Sequence, residues 1–183
     1  RVHLIEQLGQ LVSASEQAQQ MLAVCYLNLD EFKLLNEHNG RTFGDRVLVA
    51  LALRLRGSIG RDDCVARIGS DEFALLLTGL SSSFEAVEAA RELLRQVNQA
   101  LEIEGRRLHL SASLGLTLFP IDRAGPDALL QHAHEALFRA KGRSKGGYHL
   151  YDPIQDHQAR QRRHLYQEFG RALTNGELVL HYQ

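Results

Sequence analysis

Apolar positions along this chain recur in two rhythms, and the points where one gives way to the other mark its elements. Residues 1–19 read as a helix, followed by a nearly continuous apolar run of strand length at Leu22–Leu29. A short helix is predicted at Glu31–His38, then a loop, then a longer helix at Asp45–Ile59 with Val47, Leu51, Leu55 and Ile59 as its apolar row. Cys64–Ile68 and Phe73–Thr78 are β-prone runs flanking Gly69-Ser70, a pair suited to a tight, glycine-first hairpin that carries Asp71 and Glu72 at its tip. Ser81-Ser82-Ser83 caps a helix bearing Val87, Ala90, Leu94, Val97 and Leu101. Leu108–Phe119 alternates and stops at Pro120, which predicts a long central strand. Leu129, Leu130, Ala133, Leu137 and Ala140 mark another helix, and Tyr148–Tyr151 a last strand.

A strand hairpin in the middle of alternating helices and strands rules out a wholly parallel sheet. The expected fold is α/β (α+β): a mixed central sheet of the five predicted strands, flanked by helices. After Pro153 the character changes. Gln155–Leu173 is polar and Arg-rich with an apolar stripe of Leu165, Phe169 and Leu173, Asn175-Gly176 stops it, and Leu178–Tyr182 reads as a strand. The division is therefore a domain at 1–152, a linker helix at 153–176, and the first strand of another domain at 177–183. The Arg160, Arg162 and Arg163 group reads as the solvated face of the linker.

Composition narrows the partners. The formal net charge of −1 over 183 residues leaves no basic footprint, so no nucleic acid partner is expected. No run approaches the roughly 20 apolar residues of a membrane span, so no direct membrane contact is expected. Cys25 and Cys64 both fall in predicted buried strands, as reduced thiols of a cytoplasmic protein would. His132 and His134, two apart on a helix, face different ways and make a poor metal pair.

Asn28-Leu29-Asp30-Glu31-Phe32-Lys33 and Arg67-Ile68-Gly69-Ser70-Asp71-Glu72-Phe73 each run from a strand into acidic residues that suit no strand interior. If the strands are neighbours, the Asp71 carboxylate, the Asn28 amide oxygen and the Leu29 carbonyl form a set of hard oxygen donors suited to magnesium, with phosphate and water completing the shell. Lys33 and the group Lys141, Arg143 and Lys145 could meet a polyphosphate, against the alternative of a solvated helix end. There is no Walker A sequence, which excludes a P-loop as the cradle.

With Asn36, Gly44-Asp45, Ser113 and Gly115, and Ala136-Leu137-Phe138 ahead of Ala140-Lys141, these segments resemble the GGDEF domains in order and spacing over about residues 1–152. Arg163, Leu165-Tyr166, Glu168-Phe169 and Gly176-Glu177-Leu178 through Leu180-His181-Tyr182-Gln183 resemble the opening of an EAL domain. The resemblance implies a nucleotide-cyclase palm with a ferredoxin-like core, in a composite GGDEF–EAL protein of cyclic di-GMP signalling. Active members are diguanylate cyclases in which two domains meet face to face, each holding a GTP, and one 3′-hydroxyl attacks the other α-phosphate. The implied partners are thus GTP, an EAL domain in the same chain and a second copy, with magnesium as cofactor. By the same resemblance Asp71, Asn28 and the Leu29 carbonyl hold magnesium, and Glu72 assists deprotonation of the hydroxyl. Phe32, Lys33, Lys141 and Lys145 meet the triphosphate, Gly69 and Ser70 approach the nucleotide, and Asn36 and Asp45 read the guanine edge.

Four departures from that pattern bear on activity. Asn28 stands where the family has the first metal-binding Asp, which removes a full negative charge from a two-metal site. Ser70 replaces the second glycine and costs roughly 1–2 kcal/mol if its φ must be positive. Lys145 stands in place of an Arg, and His134 in place of an Asp. Gly60 holds the Arg position of the product-inhibition motif while Asp63 survives, so feedback binding of cyclic di-GMP there is not expected. The leading expectation is a GTP- and magnesium-binding regulator of an attached EAL phosphodiesterase with little or no cyclase activity. The alternatives are a weak diguanylate cyclase and a dimerisation scaffold without nucleotide.

Overall fold

The computed structural model describes residues 2–155. The chain divides into two units at Tyr151, and the first carries the fold. In it α1 (Val2–Ala18) leads into β1 (Met21–Leu29), then α2 (Phe32–Asn39), α3 (Arg41–Ser58), β2 (Cys64–Arg67), β3 (Glu72–Leu80) and α4 (Ser83–Asn98). The short β4 (Leu101–Ile103) and β5 (Arg106–Leu108) precede β6 (Ala112–Phe119), α5 (Pro126–Arg143) and β7 (Tyr148–Leu150). Five strands make one sheet in the order β2-β3-β1-β6-β7, antiparallel except for the parallel β6–β7 pair. This is the mixed, helix-flanked sheet that the pattern predicts.

The run of β1 is apolar throughout because both of its faces are covered. Ala23, Cys25, Leu27 and Leu29 face a core built with Val47, Leu51 and Leu55 of α3 and Ala90, Leu93 and Val97 of α4. Leu22 and Val24 face the opposite core, with Leu4 and Leu8 of α1 and Leu129, Leu130 and Ala133 of α5. Successive strand residues alternate faces, so Tyr26 and Asn28 belong to the side covered by α1 and α5. On that side Gly115 of β6 stands opposite Tyr26. A Cβ there would come 2.7 Å from the Ala136 carbonyl carbon, and closer still to Leu137 N and Ala133 O. Only glycine lets α5 lie this close to the sheet.

Four local readings need correction. The helix expected to include Leu101 ends at Asn98, and Leu101 is buried in β4. The expected long strand breaks at 109–111, because β5 pairs with β4 in a separate two-stranded ribbon turned at Glu104-Gly105, both at positive φ. Alternation runs through that break, and Glu104 does not signal a turn. Helix α3 starts at Arg41, just after Gly40 at φ +83° and four residues ahead of the expected start at Asp45, so Gly44 lies inside the helix instead of in a loop. The hairpin is wider than a two-residue turn: Arg67 pairs with Phe73, Ile68 N donates to Glu72 O at 2.9 Å, and Glu72 is already in β3. Neither Gly69 nor Ser70 has a positive φ, so Ser70 carries no left-handed strain.

In the second unit Asp152 Oδ1 accepts from Ile154 N (2.8 Å) and Gln155 N (3.0 Å). The rest of the expected linker helix and the strand at 177–183 lie outside the described residues. Among the described residues no helix is long and apolar enough to cross a membrane.

Candidate functional site

Pairing in the sheet brings the two acidic segments together. Asn28 stands opposite Glu72 on β3 and opposite Ser113 on β6, and Leu29 N donates to Asp71 O at 3.0 Å. Directly opposed residues share a face, so Glu72 joins Asn28 and Tyr26 on the α5 side. Each polar side chain of this group has a protein partner. Lys141, in the last turn of α5, donates from Nζ to Asn28 Oδ1 at 2.6 Å. The Tyr26 hydroxyl donates to Glu72 Oε2 at 3.0 Å, and the Ser70 hydroxyl to Asp71 Oδ1 at 2.7 Å. Asn28 is only 7% exposed, and Lys141, itself an exposed residue, reaches its amide oxygen from the solvent side.

The loop before β3 is held by Arg67, whose guanidinium donates to Gly69 O (3.0 Å) and Ser70 O (2.9 Å). A Cβ at Gly69 would come 2.5 Å from Glu72 Oε2. A side chain at 69 would displace the Glu72 carboxylate from this position, while the turn makes no demand for positive φ. The Tyr26 ring leans on His134 of α5, centroids 4.7 Å apart at 46°. His134 therefore packs beside the residue that holds Glu72.

Asp30 is the residue that sequence reasoning missed. Its carboxylate accepts from Ser111 Oγ (2.8 Å), Ser113 Oγ (2.9 Å) and Gly146 N (3.1 Å). It thereby fastens the end of β1 to β6 and to the loop after α5. The available signal was the pair of serines flanking Ala112 together with a glycine just beyond Lys145. Glu31, next along, is left-handed (φ 57°, ψ 20°), a conformation costing a non-glycine residue about 1–2 kcal/mol. Its carboxylate takes Lys145 Nζ at 2.8 Å, and that ammonium holds the Glu31 carboxyl below the usual carboxylate range. Lys145 is itself pushed up by the same bond. Lys145, Asp30 and Glu31 border a cleft of about 530 Å³ between α2 and the segment at 109–111. Asn36 and Asp45 are not part of its lining.

A second group forms where α2 meets α3. Gly44 packs against the Asn36 side chain and Phe32, with Phe32 Cζ 3.2 Å from where a Gly44 Cβ would stand. Asn36 Oδ1 is buried and has no hydrogen-bond partner among the described residues. Asp45, beside Gly44, is exposed. Lys33 joins neither group: its ammonium lies 3.8 Å from Glu37 and its side chain is 89% exposed.

The magnesium expectation can be tested against this donor set. Among the described residues no three His, Cys, Asp or Glu side chains are grouped to hold a metal ion. Within the expected ligand set Asp71 is the only charged side chain, and the Asn28 oxygen is already taken by an ammonium. These residues do not fit a pair of dications. Asp63, which the resemblance sets in the product-inhibition motif, makes local contacts in this fold. Asp63 accepts from Gly60 N (2.8 Å), Thr78 N (2.8 Å) and Thr78 Oγ1 (3.1 Å), which ties the loop before β2 to β3.

Residues 1–146 match the family model described as diguanylate cyclase, GGDEF domain. The chain is 31% identical over its whole length to MucR of Pseudomonas aeruginosa, a bifunctional diguanylate cyclase/cyclic di-GMP phosphodiesterase, and covers 27% of it. It is 37% identical over 141 residues to the diguanylate cyclase TpbB of the same species, covering 76% of this chain and 32% of that one. The chain thus spans about a quarter to a third of these relatives. Among solved structures, the GGDEF domain of TpbB superposes with a TM-score of 0.82 at 31% identity, covering 88% of this chain and 94% of that one.

Proposed function

The chain belongs to the GGDEF family of diguanylate cyclase domains, and from that premise we propose that it is a degenerate member: a GTP-binding regulatory domain of cyclic di-GMP signalling with little or no cyclase activity. The observation that carries the nucleotide half is Asn36, whose buried Oδ1 has no hydrogen-bond partner among the described residues and packs at Gly44, the chain neighbour of the exposed Asp45. Guanine presents two adjacent N–H donors that adenine lacks, and an amide oxygen beside a carboxylate is a matched acceptor pair for them. Lys141 and Lys145 supply charge for the triphosphate, and Phe32 packs under the base-reading helix joint.

The catalytic half is weakened at Asn28. Two-metal phosphoryl chemistry needs both ions to activate the attacking oxygen and neutralise phosphate charge. Here one ligand position is a neutral amide bonded to Lys141. The magnesium implied by the resemblance has no built pair of sites among the described residues. A weak cyclase is the second reading, favoured by Asp71 and Glu72 both standing beside Asn28 and Leu29. A dimerisation scaffold without nucleotide is the third.

The alignment with MucR runs through residue 183. It supports reading residues 153–183 as a linker helix and the first strand of an EAL domain, with nucleotide occupancy biasing that phosphodiesterase. The test is GTP binding by this chain and by Asp45→Ala, with cyclic di-GMP assayed in the same mixtures. Binding that is lost in Asp45→Ala, without product, is expected. Product that disappears in Asp71→Ala would establish the cyclase reading instead. Equal binding by Asp45→Ala would remove the guanine assignment.

A further inference from the structure

We infer that Lys141 takes over the work of the metal at the Asn28 position, so that guanine nucleotide binding by this domain is essentially independent of magnesium. This rests on the proposed GTP reading and deepens it. Three observations converge. First, Lys141 Nζ lies 2.6 Å from Asn28 Oδ1, a short charge-assisted bond, and Asn28 is only 7% exposed. A dication placed on that oxygen would have to displace the ammonium or sit against a like charge. Second, Asn in place of Asp leaves one negative charge fewer in the cradle, so the Lys141 charge is not cancelled by a carboxylate at this position and stays available to phosphate. Third, the other expected ligand side chain is also engaged, with Asp71 Oδ1 accepting from Ser70 Oγ at 2.7 Å.

The arrangement follows from the fold. Asn28 faces α5 by the period-2 alternation of β1, and Gly115 lets α5 lie close enough for Lys141 to reach it. The lysine stands at the C-terminal end of the helix, where its ammonium also complements the helix dipole. A cation supplied by the protein is already in place when the nucleotide arrives. Cellular magnesium then has little leverage on occupancy, and occupancy reports GTP concentration alone.

Calorimetric titration of the chain with GTP, once in excess magnesium and once in excess EDTA, reads this directly. The two dissociation constants are expected to agree within about fivefold. Asn28→Asp, which restores the carboxylate without changing shape, is expected to bind GTP more than about tenfold tighter with magnesium than with EDTA. Lys141→Met, which keeps the apolar stem, is expected to lose affinity mainly in EDTA. A magnesium preference above about fivefold in the parent chain, or none in Asn28→Asp, would overturn the inference while leaving the GTP reading intact. Absence of binding under both conditions would overturn the GTP reading itself, and the inference with it.

Discussion

Gly115→Ala tests the one packing contact on which the site geometry depends. The added Cβ would stand 2.7 Å from the Ala136 carbonyl carbon, where ordinary contacts lie at 3.4–4 Å, and nearer still to Leu137 N and Ala133 O. All three are helix backbone atoms, so no side-chain rotation relieves the overlap. Helix α5 must withdraw by about 1 Å along its buried row, and a close-packed interior accommodates such a shift poorly. Overpacking by one carbon usually costs 1–3 kcal/mol, and a backbone clash belongs at the upper end, so about 3 kcal/mol is expected. That is a large part of the 5–15 kcal/mol typical of a whole domain and corresponds to a fall in Tm of about 6–12 °C. The chain has no Trp, so urea unfolding followed by far-UV circular dichroism is the assay. A loss below about 1 kcal/mol would refute the close α5–β6 contact, and with it the route by which Lys141 reaches Asn28.

Two further predictions concern residues away from the nucleotide. Asp122 is buried and accepts from Thr117 Oγ1 (2.7 Å), Ala124 N (3.2 Å) and His132 Nδ1 (2.7 Å), with His132 stacked on Tyr151. Asp122→Ala strands the fully buried Thr117 hydroxyl and is expected to cost about 2–4 kcal/mol in chemical unfolding, while Asp122→Asn costs less. Equal costs for the two would show that the acceptor oxygens are not what matters. Burial, with a smaller push from the Asp63 charge, drives the Cys25 thiol up to about 12. An unfolded thiol ionises near 8.5 and the folded one does not, so this group's contribution is complete below about pH 8.5 and falls by about 1.4 kcal/mol per unit above it. Thiol titration of the native protein is expected to label the half-buried Cys64 first, with Cys25 reacting only at the rate of unfolding. Prompt labelling of both would contradict the buried placement of β1.

The strands were legible because period-2 alternation and near-continuous apolar runs arise from burial itself, and β1, β3 and β6 are the most buried segments. The β4–β5 ribbon was not. It is short, its turn uses a left-handed Glu104, and Leu101 extends the apolar row of α4 so well that periodicity alone places it in the helix. At the site, the convergence of Asn28, Leu29, Asp71 and Glu72 could be anticipated from two strands running into acids. What could not be read is which partners those side chains take within the fold. Tyr26 holding Glu72, Lys141 holding Asn28 and Asp30 gathering two serines depend on register across three strands and on one glycine beneath α5. The positive φ once at issue for Ser70 vanished because the hairpin is one residue wider than its glycine-first reading.

The central claim is that the joint of α2 and α3 reads guanine. Calorimetric titration of the chain with GTP and, in parallel, with ATP tests it most directly. GTP binding with ATP at least about tenfold weaker is the predicted result. Equal affinities would contradict it, and heat from neither nucleotide would contradict it and leave the domain as a scaffold without nucleotide.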